Sequence, residues 1–491
     1  MGQLSGNGAK HISLLFVAHI CCATAVSAQH VWVDPRGEGK LTWSDNIDLT
    51  NSNRVSGLVL NTSAGLNTRV EGRKVQGALD YALDYYHFLN DGDTDLRHSM
   101  FGVLDAEVIE NHLSVNARAS LRQVFLNQTD SISQSEANRS DNRRLVQNYT
   151  GTAILKGGMR DFADWRVSYR YGLTLSPADN LDDETLTTNF SDSQSHEIKA
   201  SLGSGDRFNS LEWRLFASSS RVTRSLDVND FRNEQVGAEL WYKFGRHFAV
   251  VGEVSQNQND FQSDVLNEEG VGWEAGFRWT PGRKLDLTAR HGRVGKRETW
   301  TARLQYLFSV RLDFVGNYTD TLSADSVVLN DNLQTFGFDD NQGITDANGL
   351  PVDERDPKFT LSDVDFRRQN ASGILTLRNR RTERIYISGN MEWRTYDDEA
   401  GRRSSTWGVS TGFRRKINRN TTLDGVFSYR RSRFNNNSRV DNYLVGNLQW
   451  NRILSEYFRL SVSLDHSERL TSEVNGDLME NAVTVHLRGT F

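Results

Sequence analysis

The sequence predicts an all-β protein, a transmembrane antiparallel up-and-down β-barrel of about 22 strands (roughly 18 to 22). Three observations support this prediction. Apolar and polar residues alternate with a period of two along most of the chain, short and long connections alternate between these stretches, and the prolines fall in the connections. A mean hydropathy of −0.58 is compatible with it, because barrel strands with one lipid-facing and one water-facing side average to a hydrophilic value.

The N-terminal residues 1–28 predict a cleaved secretory signal. Lys10 precedes an uncharged stretch, ISLLFVAHICCATAVSA, which ends in small residues suited to cleavage. Both cysteines, Cys21 and Cys22, lie in this stretch. The predicted mature chain therefore has neither disulfides nor thiolate metal ligands.

Residues 29–39 are predicted to form a short periplasmic segment, and residues 40–491 the barrel. A segment of about ten residues is too short to fold as a plug domain of the kind found in the lumen of barrels of this size. No other stretch approaches the roughly 20 apolar residues that a membrane helix needs. The longest interruption of the strand pattern is an acidic loop at residues 322–368.

Alternating apolar and polar residues mark the strands. The segment VQGALDYALDYYHF, residues 75–88, is a clear case, with Leu79 and Tyr81 on one face and Asp80 on the other. The same pattern along the chain predicts strands centred near residues 43, 60, 80, 104, 119, 151, 169, 199, 214, 239, 251, 274, 288, 302, 316, 374, 390, 410, 425, 446, 461 and 486. Each spans roughly the nine to eleven residues that a tilted membrane strand needs.

The connections alternate between short and long. Every second one is short, for example RVEGRK and KINRN, whereas those between are mostly longer, with about 47 residues in the longest. Outer-membrane barrels show this asymmetry, with short turns in the periplasm and long loops outside. We expect all five prolines in connections, because strands paired on both sides need their N–H groups. These prolines are Pro35, Pro177, Pro281, Pro351 and Pro357.

The acidic loop at residues 322–368 allows two interpretations. It holds ten acidic residues before its closing arginine pair, namely Asp325, Asp331, Asp339, Asp340, Asp346, Asp353, Glu354, Asp356, Asp363 and Asp365. Folded inward, the loop would lie against arginines of the barrel wall and constrict the lumen. Folded outward, it would meet the cell-surface layer.

The C-terminal stretch VTVHLRGTF predicts the strand that closes the barrel. Val485, Leu487, Gly489 and Phe491 would face lipid, while His486 would be a polar residue facing the lumen. Closure against the first strand removes the exposed edge. The stretch also resembles the C-terminal signal, ending in an aromatic residue, by which the barrel assembly machinery recognises its clients, and we expect these four residues to form it.

Three stretches carry a family resemblance. The segments LTWSDNIDL (41–49), VQGALDYALDYYHF (75–88) and WTPGRKLDLTARHGRVGKRETW (279–300) are similar to exosortase/PEP-CTERM-system-associated outer-membrane β-barrel proteins, which are encoded in exopolysaccharide loci. The resemblance covers roughly residues 40–320, whereas the last third departs from it. It implies a location in the Gram-negative outer membrane and a part in polysaccharide or envelope export, and it brings no catalytic residues.

The inward-facing positions of the predicted strands are rich in charge. We expect twelve of them to line the lumen: Asp80, Asp84, Arg118, Arg122, Arg166, Arg170, Arg214, Arg278, Arg290, Arg303, Arg394 and Arg414. They could form charged rings that guide a polyanionic chain. They could equally be charge pairs that only keep a polar lumen solvated and rigid.

No motif predicts chemistry. Asp91, Asp93 and Asp95 resemble the start of a calcium loop, but the glycine and glutamate that complete such a loop are missing, so we expect no metal site. No nucleophile elbow or phosphate-binding glycine loop occurs, and we expect neither a cofactor nor an enzyme. The net charge of −6 argues against a nucleic-acid partner.

Together these features predict a porin-like outer-membrane channel that takes part in export of exopolysaccharide or another envelope polymer. The alternatives are a structural or envelope-interaction barrel with a closed lumen and, less favoured, an outer-membrane hydrolase. The expected partners are outer-membrane lipid, the barrel assembly machinery, an anionic polysaccharide and periplasmic export components. The sequence does not specify the sugar or the oligomeric state.

Overall fold

A computed structural model describes residues 30–491, except residues 131–132, 134, 136, 140–141, 177–189, 226–229, 262–265, 267–268, 296, 339–343, 347–358, 380–382, 399–400 and 475. The predicted secretory signal therefore lies outside the described residues. The same is true of Pro177, Pro351 and Pro357.

The predicted fold class is confirmed: the chain forms one closed, antiparallel, 22-stranded sheet. A two-stranded hairpin, β16 and β17, and one α-helix, α1 (Asp325–Thr335), lie in the connection between β15 and β18. The strands are β1 (His30–Ser44), β2 (Gly57–Glu71), β3 (Val75–Phe88), β4 (Thr94–Ile109), β5 (Leu113–Phe125), β6 (Arg143–Met159), β7 (Ala163–Leu175), β8 (Ser193–Ser204), β9 (Leu211–Arg224), β10 (Phe231–Lys243), β11 (Phe248–Asn259), β12 (Gly270–Trp279), β13 (Leu285–Val294), β14 (Arg297–Ser309), β15 (Leu312–Ser323), β16 (Gly337–Phe338), β17 (Ile344–Thr345), β18 (Phe366–Arg378), β19 (Glu383–Tyr396), β20 (Arg403–Asn418), β21 (Thr421–Phe434), β22 (Arg439–Ile453), β23 (Phe458–Thr471) and β24 (Leu478–Thr490). Each predicted strand centre falls within one of the barrel strands.

Pairing of the first strand with the last closes the sheet. Residues Arg36–Ser44 of β1 pair antiparallel with Ala482–Thr490 of β24, so that every barrel strand has two hydrogen-bonded neighbours. The backbone N–H and C=O groups of the sheet are thus satisfied within the barrel, as the interior of a bilayer requires. No helix among the described residues is long and apolar enough to cross a membrane.

The two ends of the barrel differ in their connections. At one end, here called the short-turn end, the connections run from two residues (310–311) to six (205–210). At the other, the long-loop end, they include residues 126–142, 176–192 and 324–365. Because outer-membrane barrels keep their short turns in the periplasm, the long-loop end is assigned to the cell exterior.

Side chains alternate between an apolar outer face and a polar inner face. In β24, Val483, Val485 and Leu487 are exposed on the outer face, whereas the imidazole of His486 lies 2.9 Å from the Glu38 carboxylate of β1 on the inner face. The same alternation occurs around the barrel, and the outer face carries most of the exposed large apolar side chains. A closed barrel with this outer face spans the outer membrane, which is where the protein resides.

The structure corrects the predicted segment at residues 29–39. Residues 30–39 belong to β1 and pair with β2 along their whole length. The outer face of this stretch holds Gly37 and Gly39 in place of large apolar side chains, which weakens the alternation in the sequence.

Pro35, predicted in a connection, also lies within β1. Its carbonyl accepts a hydrogen bond from the Phe491 N–H (2.9 Å), so its ring nitrogen faces β24 as well. The β1–β24 ladder begins one residue later, at Arg36, and the missing N–H therefore costs no ladder bond. Pro281 lies in a turn, as predicted.

The long connection is slightly shorter than predicted and contains an unpredicted helix. Residues 322–323 and 366–368 are parts of β15 and β18, which leaves residues 324–365 as the loop. The helix α1 has 11 residues, about 16 Å of length. Its first residue, Asp325, places a carboxylate near the positive end of the helix dipole.

Candidate functional site in the barrel lumen

The inner wall carries all twelve charged residues that the sequence predicted for the lumen, and most of them are paired. Between neighbouring strands, Arg118 lies 3.0 Å from Asp105, Arg170 2.7 Å from Glu197, Arg214 3.1 Å from Glu239, Arg278 2.6 Å from Asp286, and Arg414 2.6 Å from Asp424. Arg290 contacts both Glu239 and Glu253, and Asp80 pairs with Arg36. Arg166 and Arg303 are exposed, whereas Asp84 is buried and Arg122 half-buried. Cross-strand ion pairs of this kind stabilise the wall as well as line it.

The helix α1 connects two nearly opposite parts of the wall. At its start, the Asp325 carboxylate lies 2.7 Å from the guanidinium of Arg394 on β19. Further along, the Asp331 carboxylate lies 2.7 Å from Arg170 on β7. Strands β8–β15 and β18 separate these two strands on one side, and β20–β24 with β1–β6 on the other. The described residues of the loop are therefore folded inward, the first of the two arrangements considered from the sequence, and they cross the lumen.

Neutral hydrogen bonds attach the second half of α1 to the wall. The Asn330 side-chain amide donates to the Ser195 hydroxyl of β8 (2.9 Å), and Gln334 donates to Thr150 of β6. These contacts lie on the same side of the lumen as Arg170. The helix is thus fixed by ion pairs at both walls and by amide contacts at one of them.

A buried ion-pair network anchors the start of the helix. Arg394 pairs with Glu392 (2.8 Å) as well as with Asp325, and Arg368 also pairs with Glu392 (2.9 Å). The Asp325 carboxylate accepts a further bond from the Ser362 N–H (2.9 Å). Burial raises the pKa of Asp325, although Arg394 opposes this shift. Such a network stabilises only while complete, because a lone buried charge is costly.

Aromatic rings enclose the same arginine. The Arg394 guanidinium lies 4.1 Å from the ring centre of Phe359, which is in the loop, and 4.1 Å from that of Phe366, which begins β18. Cation–π contacts of a desolvated arginine contribute on the order of 2 kcal/mol. The returning end of the loop therefore packs on the residue that holds its beginning.

Arg224 of β9 anchors the returning end of the loop. Its side chain is almost completely buried, pairs with Asp365 and lies 3.9 Å from Asp363. Burial raises the pKa of Asp365 to about 6 against the opposing effect of Arg224, and the neighbouring Asp397 and Asp363 add to the rise. Arg224 could not be predicted from the sequence, because it is the last residue of β9, beyond the part where the alternation is clear.

Three connections pack together at the long-loop end. Leu126 and Phe190, from two other connections, form an apolar cluster with Leu361 and Leu329 of loop 324–365 and with Val124 and Val146 of the wall. Hydrogen bonds join the same connections: the Leu361 N–H donates to the Leu126 carbonyl (3.0 Å), and the Ser191 N–H to the Asp363 carboxylate (3.0 Å). We call this assembly the loop plug.

The connection 126–142 extends the loop plug toward β21–β24. The hydroxyl of Tyr443 donates to the Gln128 carbonyl (2.6 Å), Arg439 donates to the Thr129 carbonyl (2.6 Å), and Arg469 donates to the Asp130 carbonyl. These wall residues face carbonyls more than 300 positions away in sequence. No local pattern in the sequence indicates such contacts.

A cavity remains below the loop plug, toward the short-turn end. It has a volume of about 660 Å³, and carboxylates of Asp34, Glu71, Asp80 and Asp105 line it. Phe338 of the loop closes part of it and packs edge-on against Phe101 of the wall, with 4.9 Å between ring centres. Among the described residues, the lumen is therefore filled at the exterior end and keeps a cavity with polar and charged walls beneath.

The aspartates of the calcium-like stretch form ion pairs. Asp91 and Asp93 lie 2.5 Å and 3.5 Å from Arg139, and Asp95 lies 2.6 Å from Arg97. The hydrogen bond from Arg139 lowers the pKa of Asp91. Within the described ranges, no group of three or more His, Cys, Asp or Glu side chains is arranged to hold a metal ion.

The residues of the expected assembly signal lie at the seam between β1 and β24. Val485 and Leu487 are exposed on the outer face. Phe491 is 66% exposed and packs edge-on against Phe458 of β23, with 6.0 Å between ring centres. A Cβ at Gly489 would lie 3.1 Å from both of these rings.

The closed sheet, the apolar outer face and the occupied lumen define the class: an outer-membrane β-barrel whose lumen is partly filled by its own loops. No family model matches the chain, and no curated protein is similar to it in sequence. Among solved structures, the siderophore receptor PirA from Acinetobacter baumannii is 8% identical, with 94% of this chain and 81% of that one covered and a TM-score of 0.47. The ferric-catecholate import receptor Fiu from E. coli K12 is 8% identical, with 95% and 82% covered and a TM-score of 0.48. A loop L8 deletion mutant of OmpT, an outer membrane protein of Vibrio cholerae, is 10% identical, with 94% and 99% covered and a TM-score of 0.32. Sequence identities and TM-scores this low give no information about the substrate or the mechanism of this protein.

Proposed function

We propose that the protein is a porin-like channel of the outer membrane for a hydrophilic, polyanionic polymer, gated by loop 324–365. One observation carries the proposal: acidic residues of the loop pair with arginines on opposite sides of the wall, Asp325 with Arg394 and Asp331 with Arg170. A loop held mainly by charge can be displaced by a competing charge. In the proposed channel, the polar cavity beneath the loop plug is part of the hydrated route to the periplasmic side.

The same ion pairs suggest how a substrate would open the channel. Docked, the loop neutralises Arg170, Arg224 and Arg394, the cations that a polyanion would otherwise meet. A polyanion entering the lumen competes with the aspartates for these guanidinium groups, which bind carboxylates and phosphates in the same geometry. Substrate binding and loop release are then coupled, because each excludes the other at the same arginines.

We further propose exopolysaccharide or another envelope polymer as the substrate, with periplasmic export components and the barrel assembly machinery as partners. Support for the substrate comes from the sequence resemblance and from the arginines of the lumen. The proposal includes no chemical step. A barrel with a permanently closed lumen is the second candidate, favoured by the apolar cluster around Leu126, Phe190 and Leu361, which charge competition does not release.

Bilayer conductance distinguishes the two candidates. We expect the double variant Asp325→Asn/Asp331→Asn to raise single-channel conductance several-fold, because both ion pairs to the wall are lost. An anionic oligosaccharide such as oligogalacturonate should then block the current, and neutral dextran of equal size should not. Asp206→Asn, in an exposed short turn, is the matched control.

Deletion of residues 325–360 removes the loop more completely. A deletion variant with the conductance of the wild type would refute gating by the loop. A variant with high conductance that is insensitive to anionic oligosaccharide would refute the polyanion as substrate and leave a general pore.

A further inference from the structure

A group of arginines lies on the outer face of the barrel at the long-loop end. It consists of Arg403 on β20 and Arg431 and Arg433 on β21, here called the arginine patch. In the register of the two strands, Arg433 is opposite Ser405 and Arg431 is opposite Trp407. These positions share the face of the exposed Trp407 and Phe427 side chains. The patch is thus on the membrane side of the wall, above the lipid-facing band.

The arginine patch differs from three other outer-face arginines near this rim, Arg221, Arg232 and Arg367, in having no acidic partner. Arg221 lies 3.2 Å from Asp230, Arg232 lies 2.9 Å from Glu234, and Arg367 lies 2.5 Å from Asp320. In the part of the chain that the structure describes, no carboxylate is within ion-pair distance of Arg403, Arg431 or Arg433. Three neighbouring like charges repel one another, so an anion bound among them would be stabilised.

The surrounding structure holds the arginine patch in place. The hairpin that joins β21 to β22 turns through Asn435, Asn436 and Asn437, all in the left-handed region with φ of 46°, 60° and 69°. The Asn436 side-chain carbonyl accepts a hydrogen bond from the Arg403 N–H (2.8 Å) and so ties this hairpin to β20. The backbone that carries the patch is therefore fixed before any ligand binds.

Aromatic residues lie beside Arg431 and below Arg403 and Arg433 on the same face. The rings of Trp407 and Tyr429 are 5.3 Å apart, and the Tyr429 hydroxyl donates to the Asn442 side chain (2.8 Å). Tryptophan and tyrosine mark the level of the lipid headgroups in membrane proteins. The arginines consequently lie at the height where headgroup phosphates are found.

An apolar groove on the same outer face continues toward β24. It has a volume of about 750 Å³ and is lined by side chains that include Phe413, Phe427, Leu448, Leu464 and Val483. Its depth comes from glycines: a Cβ at Gly446 would have the Phe427 ring 3.7 Å away and nothing nearer. Phe427 is four residues from Arg431, about 13 Å along a strand. Cations and groove are spaced like the phosphate and the acyl chains of one lipid.

We propose that the arginine patch and the groove together bind a phosphorylated, acylated glycolipid of the outer leaflet, of the lipid A type. The phosphate lies among Arg403, Arg431 and Arg433, and an acyl chain lies in the groove. Guanidinium groups bind phosphate oxygens in pairs of parallel hydrogen bonds, which makes arginine suited to this role. The proposal is independent of the lumen and of what passes through it.

Lipid binding by purified full-length protein tests the proposal. The variant Arg403→Gln/Arg431→Gln/Arg433→Gln should bind bisphosphorylated lipid A at least about tenfold more weakly than the wild type in native mass spectrometry, because the charge-assisted hydrogen bonds are lost. The control, Arg221→Gln/Arg232→Gln, removes two arginines of the same rim that already have acidic partners, and should bind as the wild type does. Both variants must show the heat-dependent gel shift of a folded barrel.

Two further measurements separate a lipid site from a free-anion site. Gly446→Leu fills the groove and should weaken binding of lipid A several-fold without changing the arginine patch. Inorganic phosphate alone should not displace lipid A at concentrations near those of the lipid. Equal lipid A binding by the triple variant and the control would overturn the proposal. Displacement by inorganic phosphate, or unchanged binding by Gly446→Leu, would overturn its acyl-chain part.

Discussion

At the scale of single residues, Arg394 is the residue on which loop docking depends most. It pairs with one carboxylate of the loop, Asp325, and one of the wall, Glu392, and it packs between two aromatic rings. Its inward orientation follows from the alternation in β19. Its partner Asp325 is far away in sequence. The alternation therefore predicts which face of the wall carries Arg394, but it does not predict what Arg394 contacts.

Replacement of Arg394 by leucine should release the loop. Arg394→Leu leaves Glu392 with Arg368 as its arginine partner and leaves the buried Asp325 carboxylate without one, and we expect docking to lose about 3–5 kcal/mol. Limited proteolysis within residues 324–365 would measure this loss. The control is Arg415→Gln, which breaks an exposed ion pair with Glu383 and should cost less than about 1 kcal/mol. Equal protease resistance in the two variants would contradict the anchoring role of Arg394.

The pKa of Asp365 predicts how docking depends on pH. In the docked loop, burial raises this pKa to about 6, whereas a solvated aspartate has a value near 3.8. Between these two pH values, Asp365 is protonated in the docked loop and ionised in the released loop, so docking takes up a proton. Acidification from pH 7 to pH 4 should therefore stabilise the docked loop.

Conductance as a function of pH checks this sign. Open probability should fall as the pH is lowered through about 6, and Asp365→Asn should reduce the pH dependence. Asp206→Asn in a short turn is the control. A rise in open probability on acidification would show that loss of the Arg224 ion pair outweighs the cost of burying a charged Asp365.

At the scale of elements, the strands could be predicted from the sequence and the helix could not. A strand can be predicted from alternation because the side chain of each residue depends only on whether it faces lipid or water. The beginning of β1 was missed where Gly37 and Gly39 give no apolar signal. The helix α1 shows little amphipathic pattern, since its contacts with Arg394, Arg170 and Ser195 come from different sides of the lumen.

Packing of α1 can be tested by one substitution. Val328 is buried in a cluster with Phe366 and Tyr396 at the wall. Val328→Asp would bury an unpaired charge, and we expect docking to weaken by at least about 2–3 kcal/mol. The control is Asn332→Asp, which adds the same charge at an exposed position of the helix. Hydrogen exchange of the helix amides measures docking, and equal exchange in both variants would contradict the observed packing.

At the scale of the whole molecule, the seam between β1 and β24 decides whether the barrel closes. We expect Phe491→Ala to lower the amount of protein in the outer membrane more than it changes conductance, because the contact with Phe458 lies outside the lumen. The control is Phe308→Ala, an exposed aromatic on the outer face near another short turn. Outer-membrane levels equal to those of the control would refute an assembly role for Phe491.

The barrel should remain folded without its loop plug. Each strand is hydrogen-bonded to two neighbours, and Ser323 at the end of β15 is the register partner of Phe366 at the start of β18. A few residues can therefore join these strands when residues 325–360 are deleted, and loop closure becomes less costly.

We expect the deletion variant to keep the heat-dependent gel shift of the wild type, with a lower unfolding temperature because the contacts of Arg394 with Asp325 and Phe359 are lost. The matched variant is the full-length protein with Arg394→Leu, which loses the anchor and keeps the loop. If the deletion variant ran identically with and without heating, the sheet would depend on its plug, and the loop could not act as a gate that moves within a fixed wall.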